Sequence, residues 1–341
     1  MLIEQILLHI LNKLQNERSI TAAYYLLQGK RSGQTMQDVG LFKLFPIFNL
    51  LKKMPKRTYD MYVERLVEKR LIVRTETSFY LTEQGRNAIV PLPYYDGWHL
   101  RGNEHVFFAR LALVIQTLSN QAEGVKGFVP VQKDITVQHW CRQFLLHYQF
   151  QKRALQQPLY EEMMESLESL QVPEFQKEIG IGRLHGAKVT GVTWSQLGLQ
   201  HGLDELDCQL YFISFLHSWI REIVLAGEKY PLLSNFIRGV YMHQTVTGSA
   251  LQTAQMYERG YSVEQIAMMR NLKQTTIEDH IVEIAMYEPN FDVSGFISTD
   301  EIRAVEDAVN LHQTKKLKVL KEALPTISYF QLKIALAKGE V

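Results

Sequence analysis

The stretch SVEQIAMMRNLKQTTIEDHI, residues 262–281, carries a specific helix-turn-helix pattern. It opens with a serine, a favourable helix N-cap, and Gln265 follows three residues later in the spacing of a capping box. Asn271 lies nine residues after the cap and is a residue type that can take the positive φ of a tight turn. A second helical pattern begins at Lys273. The stretch therefore predicts two helices joined by a short turn, a helix-turn-helix pair.

The same pattern occurs earlier in the chain, around residues 193–216. Thr193 and Gln196 repeat the cap and its partner, and Gly202 repeats the turn residue. The second helix of this earlier pair opens with three acidic residues, Asp204, Glu205 and Asp207. Because a phosphate backbone would repel these carboxylates, this pair is predicted to pack or to dock a protein.

Helical periodicity dominates the remaining sequence, and one hairpin is predicted at residues 72–81, so the fold class is mainly α. The prolines of residues 91–93 end the first unit, and Thr247-Gly248 precedes the last one. The sequence predicts three parts: a winged-helix-like DNA-binding unit at 1–92, a helical middle domain at 100–244 and a C-terminal helix-turn-helix domain at 248–341.

The winged-helix-like unit carries the most basic segment. Residues 42–74 hold nine Lys and Arg against three acidic residues, a local charge of +6 in a chain whose net charge is +1. In helix-turn-helix proteins the N-terminal end of the second helix approaches DNA, and here Pro55 opens that helix. The alternative is a solvated basic face of a protein-interaction module. The candidate DNA-binding residues are Lys52, Lys53, Lys56, Arg57, Thr58, Tyr59 and Arg74.

The C-terminal pair supplies a second set of candidates for DNA contact: Lys273, Gln274, Thr275 and Thr276. Glu278, Asp279 and Glu283 follow them, which is unfavourable electrostatics for groove reading. A later basic stretch with Lys315, Lys316 and Lys318 either contacts phosphates or coats an amphipathic helix.

An acidic segment is the candidate partner-binding surface. Residues 160–180 contain six Glu and one Lys, a local charge of −5 that would complement the basic flanks of a DNA-processing partner. The ordinary alternative is a solvated helix face. The candidate residues are Glu161, Glu162, Glu165 and Glu168.

No catalytic chemistry is expected. Residues 180–191 lack the spacings of a P-loop and of a dinucleotide-binding loop, and His139 and His147 lie too far apart for a helical metal pair. We therefore expect no enzyme activity, no cofactor and no metal. Two distant cysteines and the absence of a membrane-spanning apolar run predict a cytoplasmic protein. The predicted DNA contacts would make this protein nucleoid-associated. An enzyme concealed in residues 100–244 remains the weakest of the alternatives.

Residues 249–335 resemble the helicase helix-turn-helix domain at the C-terminus of some RecQ-type DNA helicases. The resemblance is carried by residues including Tyr257, Gly260, Arg270, Thr275 and His280, and by Ile327-Ser328-Tyr329-Phe330. The whole chain, with GAKVTGVTWSQL at 186–197, looks like the YpbB-like family of Firmicutes. This resemblance implies a partnership with a RecQ-type helicase in DNA repair or recombination, and no enzyme activity. The alternative function is a helix-turn-helix transcription regulator, which usually needs a dimer to read two half-sites; the sequence leaves the oligomeric state open.

Overall fold

The computed structural model describes residues 1–75, 79–150, 154–242, 246–288 and 290–339. Within these ranges the chain forms nineteen α-helices and one two-stranded antiparallel sheet, which confirms the predicted mainly α class. The contacts divide the chain into two compact units. Unit 1 comprises residues 1–6, 49–52 and 90–242, and unit 2 comprises residues 7–48, 53–89 and 243–341. The first helix, α1 (Leu2–Leu14), contributes residues to both units.

Unit 1 is built around one long helix that buries several large apolar side chains. Trp219 of this helix packs on Phe107, with ring centroids 5.4 Å apart, and on Phe215, with ring centroids 5.5 Å apart. Burial of these large rings supplies the main apolar driving force of the unit. Its helices are α6 (Gly97–Leu100), α7 (Glu104–Ala122), α8 (Ile135–His147), α9 (Gln156–Glu168), α10 (Glu174–Ile181), α11 (Trp194–His201), the long α12 (Glu205–Ala226) and α13 (Pro231–Phe236). A 3₁₀ turn, Gly227–Lys229, joins α12 to α13.

The N-terminal part of unit 2 has the element order of a winged helix. Its elements are α2 (Ile20–Leu27), α3 (Gly33–Leu41), a 3₁₀ turn (Phe45–Ile47), α4 (Lys56–Glu68), β1 (Ile72–Arg74), β2 (Phe79–Leu81) and α5 (Glu83–Asn87). The two strands pair in antiparallel register, with Ile72 opposite Leu81, so the predicted hairpin is confirmed. The turn of the hairpin, residues 76–78, lies outside the described residues.

The C-terminal part of unit 2 consists of helices alone in the residues that are described. They are α14 (Gly248–Glu258), α15 (Val263–Arg270), α16 (Gln274–Tyr287), α17 (Thr299–His312), α18 (Leu317–Ala323) and α19 (Tyr329–Lys338). The central helix is α16, which packs on α14, α15 and α19 and also on α3. Ile277 and Ile281 on α16 are fully buried.

The three-part division predicted from the sequence, 1–92, 100–244 and 248–341, stays a prediction. The compact units draw on the chain discontinuously, and residues 53–89 belong to the same unit as residues from 243 onward.

Candidate nucleic-acid interface

The C-terminal helix pair, α15 and α16, has the local geometry of a helix-turn-helix. Ser262 accepts a hydrogen bond from the backbone of Gln265, whose side chain accepts one from the backbone of Ser262 at 2.9 Å, so the capping box forms. Asn271 adopts φ 51°, the left-handed conformation that ends α15. Ile266 and Ile277 are fully buried and hold the two helices together. The capping box and the left-handed turn residue are the features that the sequence predicted for this helix pair.

The N-terminal end of α16 is open to solvent. Lys273, Gln274 and Thr275 are exposed, and Thr276 is half-buried. The Gln274 amide donates a hydrogen bond to the Glu278 carboxylate at 3.0 Å. The first backbone N–H groups of a helix attract anions, and a lysine and a hydroxyl lie beside them here. This end of α16 has the chemistry required to contact a phosphate.

The acidic residues further along α16 are used inside unit 2. Asp279 accepts hydrogen bonds from Lys333 on α19 at 2.8 Å and from Gln37 on α3 at 3.1 Å. Glu283 is 8% exposed and accepts hydrogen bonds from the backbone N and the hydroxyl of Thr247, the N-cap of α14, at 2.5 and 3.1 Å. Both carboxylates are therefore committed to internal contacts. The sequence had no signal for this, because their partners lie on other helices.

The same two carboxylates line a cavity of about 380 Å³ bounded by α3, α14 and α16. The N-terminal ends of α3 and α14 meet there, and Asp279 and Glu283 supply the negative charge that such ends favour. His280 also lines the cavity, and its Nδ1 lies 2.9 Å from the Thr253 hydroxyl. This polar cluster ties α16 to its neighbours.

The winged-helix candidates on α4 separate into surface and core residues. Arg57 is exposed, Thr58 is half-buried, and Lys56 forms an ion pair with Asp60. Tyr59 corrects the prediction: its side chain is fully buried, and its hydroxyl donates to the carbonyl of Ile20 at 2.5 Å. Burial also raises the pKa of Tyr59. Tyr59 is a core residue and cannot reach DNA.

The excess positive charge of residues 42–74 lies in the segments before and after α4. The helix itself carries three basic and three acidic residues, so it has no net charge. The Arg74 guanidinium in β1 forms an ion pair with Glu64 at 2.7 Å, which reduces its contribution. Lys52, in unit 1, and Lys53, in unit 2, are both exposed. The charge of +6 of residues 42–74 is therefore spread over the segments that flank α4 and does not form one basic face on that helix.

The C-terminal lysines also divide into two groups. Lys315 is half-buried, and its ammonium donates to the carbonyl of Leu41 at the end of α3 at 3.2 Å. Burial and the nearby Lys43 lower the pKa of Lys315. Lys315 therefore stabilises the C-terminal end of α3 by donating to one of its last carbonyl groups. Lys316 and Lys318 are exposed at the start of α18 and remain available for phosphate contact.

The middle helix pair, α11 and α12, repeats the C-terminal geometry closely. Thr193 and Gln196 form a capping box, and Gly202 adopts φ 64°. The backbone N of Leu203 donates to the carbonyl of Gly198 at 2.9 Å, the contact that Leu272 and Ala267 make in the C-terminal pair at 3.0 Å. The two pairs therefore share one turn geometry, but the N-terminal end of α12 is acidic.

The acidic candidates on α9 include one structural residue. Glu161, Glu165 and Glu168 are exposed, and Glu165 forms an ion pair with Lys229 at 2.9 Å. The carboxylate of Glu162 accepts hydrogen bonds at 2.9 to 3.1 Å from the backbone N–H groups of Leu232 and Leu233, at the start of α13. Glu162 is half-buried and its carboxylate is used inside unit 1, and its contact with a partner stays a prediction.

The helix pair at α15 and α16 belongs to a longer match with known proteins. Residues 249–336 match a family described as a helix-turn-helix domain. The whole chain is 28% identical to Protein YpbB of Bacillus subtilis (strain 168) over 347 aligned residues, which cover 97% of this chain and 96% of that protein. No solved structure matches this chain.

The described residues contain neither a membrane-spanning helix nor a metal-binding cluster. No helix there is long and apolar enough to cross a membrane. No group of three or more His, Cys, Asp or Glu side chains in those ranges is placed to hold a metal ion.

Proposed function

We propose that this protein is a non-catalytic DNA-binding accessory factor that acts with a RecQ-type helicase in DNA repair or recombination. The helix-turn-helix domain match over 249–336 supports DNA binding. The helicase partnership rests on the resemblance of the C-terminal segment to the helicase helix-turn-helix domain.

The observation that carries DNA binding is the division of charge along α16. Lys273, Gln274 and Thr275 are exposed at its N-terminal end, whereas Asp279 and Glu283 are held by other helices of unit 2. An approaching phosphate therefore contacts a helix N-terminus with a lysine beside it. It is repelled less by Asp279 and Glu283, because both carboxylates accept hydrogen bonds from other residues of unit 2.

A second contact is proposed in the winged-helix part of unit 2. Arg57 and Lys53 are exposed near the N-terminal end of α4, where a recognition helix approaches DNA. Because α4 has no net charge, we expect these contacts to bind the backbone and to add little sequence specificity.

The experiment measures binding of the full chain to a fluorescent duplex and to a forked DNA across a salt series. Each phosphate contact contributes about −0.9 to the slope of log K against log salt concentration. We expect Lys273→Gln and Arg57→Gln each to reduce the slope by about 0.9. Lys133→Gln, an exposed lysine of unit 1, is the matched control and should leave the slope unchanged.

Wild-type protein that binds neither DNA at low salt would refute the proposal. Unchanged slopes in both unit 2 variants would refute the assigned contacts. A strong preference for one duplex sequence, together with a dimer in solution, would favour the transcription regulator instead.

A further inference from the structure

Unit 1 contains a groove of about 870 Å³ beside the N-terminal end of α12. Its lining combines two aromatic rings, Phe175 and Tyr211, with two carboxylates, Asp204 and Asp207, and one amide, Gln176. Three prolines complete the wall. Among the lining side chains, all of them described, those two carboxylates are the only formal charges. The groove is therefore suited to a cation.

Gln176 provides a hydrogen-bond acceptor that the fold leaves unused. Its side chain lies on α10 and is 3% exposed. The Oε1 atom is buried and accepts no hydrogen bond from the described residues. A buried acceptor without a donor costs free energy, so an occupant that donates a hydrogen bond here is favoured over one that does not.

The aromatic rings add a surface for a flat cation. Phe175 and Tyr211 are both half-buried, and their ring centroids lie 4.9 Å apart in a T-shaped arrangement. A guanidinium group is planar, stacks on such rings and carries five N–H donors with no acceptor. A guanidinium can donate hydrogen bonds to an amide oxygen and to a carboxylate at the same time. The ammonium group of lysine has no fixed planar arrangement of donors and matches two such acceptors less well.

An anion does not fit this groove, although a helix begins there. Asp204 is the N-cap of α12 and accepts a hydrogen bond from the backbone N of Asp207 at 2.6 Å. Asp207 in turn accepts from the backbone N of Leu2 and Ile3, at the start of α1, at 2.8 and 3.1 Å. Asp204 thus accepts from the N-terminal end of α12 and Asp207 from the N-terminal end of α1, and the two carboxylates would repel an anion. Met1 also lines the groove, and its amino group lies 4.0 Å from the carboxylate of Glu4. The positive charge of this amino group also acts on Asp207, so the carboxylate expected to contact a bound cation is that of Asp204.

We propose that this groove binds an arginine side chain presented by an extended segment of a partner protein. The guanidinium donates to Gln176 Oε1 and to the Asp204 carboxylate and stacks on the aromatic pair, while aliphatic neighbours in the segment contact the prolines. This arginine site shares no residue with the proposed DNA contacts of unit 2, so either proposal can fail while the other holds.

The test uses the full chain and acetylated, amidated pentapeptides of leucine and alanine with arginine, lysine or citrulline at the centre. Citrulline keeps the shape of arginine without its charge. Binding is measured by fluorescence anisotropy of labelled peptides, competed with unlabelled ones. We expect arginine to bind about tenfold more tightly than citrulline, with lysine between them.

Asp204→Asn is the central variant, because asparagine caps a helix as well as aspartate does and removes only the charge. We expect it to abolish most of the preference for arginine over citrulline. Glu205→Gln is the matched control: it is the next residue, exposed and outside the lining, and should change nothing. Equal binding of arginine and citrulline by the wild type, or an Asp204→Asn variant that retains the full preference, would overturn the proposal.

Gln176→Leu separates binding from folding. If Gln176 Oε1 is an acceptor kept for a ligand, its removal should weaken arginine binding and leave the urea midpoint unchanged or higher. A lowered midpoint with unchanged arginine binding would instead mean that Gln176 only supports the fold, which would also overturn the proposal.

Discussion

Glu283 allows the role of the acidic residues on α16 to be measured directly. Its carboxylate accepts two hydrogen bonds from Thr247 and is 8% exposed, so solvent competes little for it. A hydrogen bond to a charged group contributes about 1.5–3 kcal/mol, and truncation also leaves the Thr247 N–H without this acceptor. We expect Glu283→Ala to lower the free energy of unfolding of unit 2 by about 3 kcal/mol.

The matched control is Glu278→Ala on the same helix. Glu278 is half-buried and accepts a hydrogen bond from Gln274, four residues away, so its loss should cost about 0.5 kcal/mol. Both variants remove one glutamate from α16, so the difference between them isolates the contact with α14.

Urea unfolding is followed by circular dichroism and by tryptophan fluorescence. All four tryptophans, Trp98, Trp140, Trp194 and Trp219, lie in unit 1 and report on that unit alone. Hydrogen exchange of residues 248–258 locates the effect, since fraying of α14 should accelerate exchange there. If the free energies of unfolding of Glu283→Ala and Glu278→Ala differ by less than about 0.5 kcal/mol, the Glu283 carboxylate does not hold α14 in place. That result would contradict the internal role assigned to this acidic residue.

Two further predictions concern a histidine of unit 2 and the acidic helix of unit 1. Burial and the nearby Arg270 hold the pKa of His280 below its ordinary value of 6.5, so unfolding takes up a proton and stability falls as the pH drops below that value. Urea midpoints between about pH 7 and 5 should decline less in His280→Asn than in the wild type, and parallel declines would contradict this. Charge reversal of Glu161, Glu165 and Glu168 to lysine should slow association with the proposed RecQ-type helicase, most strongly at low salt, without changing DNA binding. An unchanged association rate across the salt series, measured by surface plasmon resonance, would place the contact elsewhere.

The two helix pairs and their turns could be predicted from residues close together in the chain. A capping box joins residues three apart, as in Ser262 with Gln265, and a left-handed turn residue such as Asn271 or Gly202 acts on its own backbone. These interactions are complete within about ten residues, so their pattern is visible in the linear chain. The hairpin at 72–81 was predictable for the same reason.

Which charged and polar residues remain at the surface depends on tertiary packing and could not be predicted from the sequence. Asp279 forms an ion pair with Lys333 and accepts a hydrogen bond from Gln37, which is 242 residues away in the chain. Tyr59 is buried and donates a hydrogen bond to the carbonyl of Ile20, and Glu162 accepts a hydrogen bond from Leu232, which is 70 residues later in the chain. A local charge count treats every Lys, Arg, Asp and Glu as exposed. The charge that a partner meets depends on long-range partners, which are set by packing and not by spacing along the sequence.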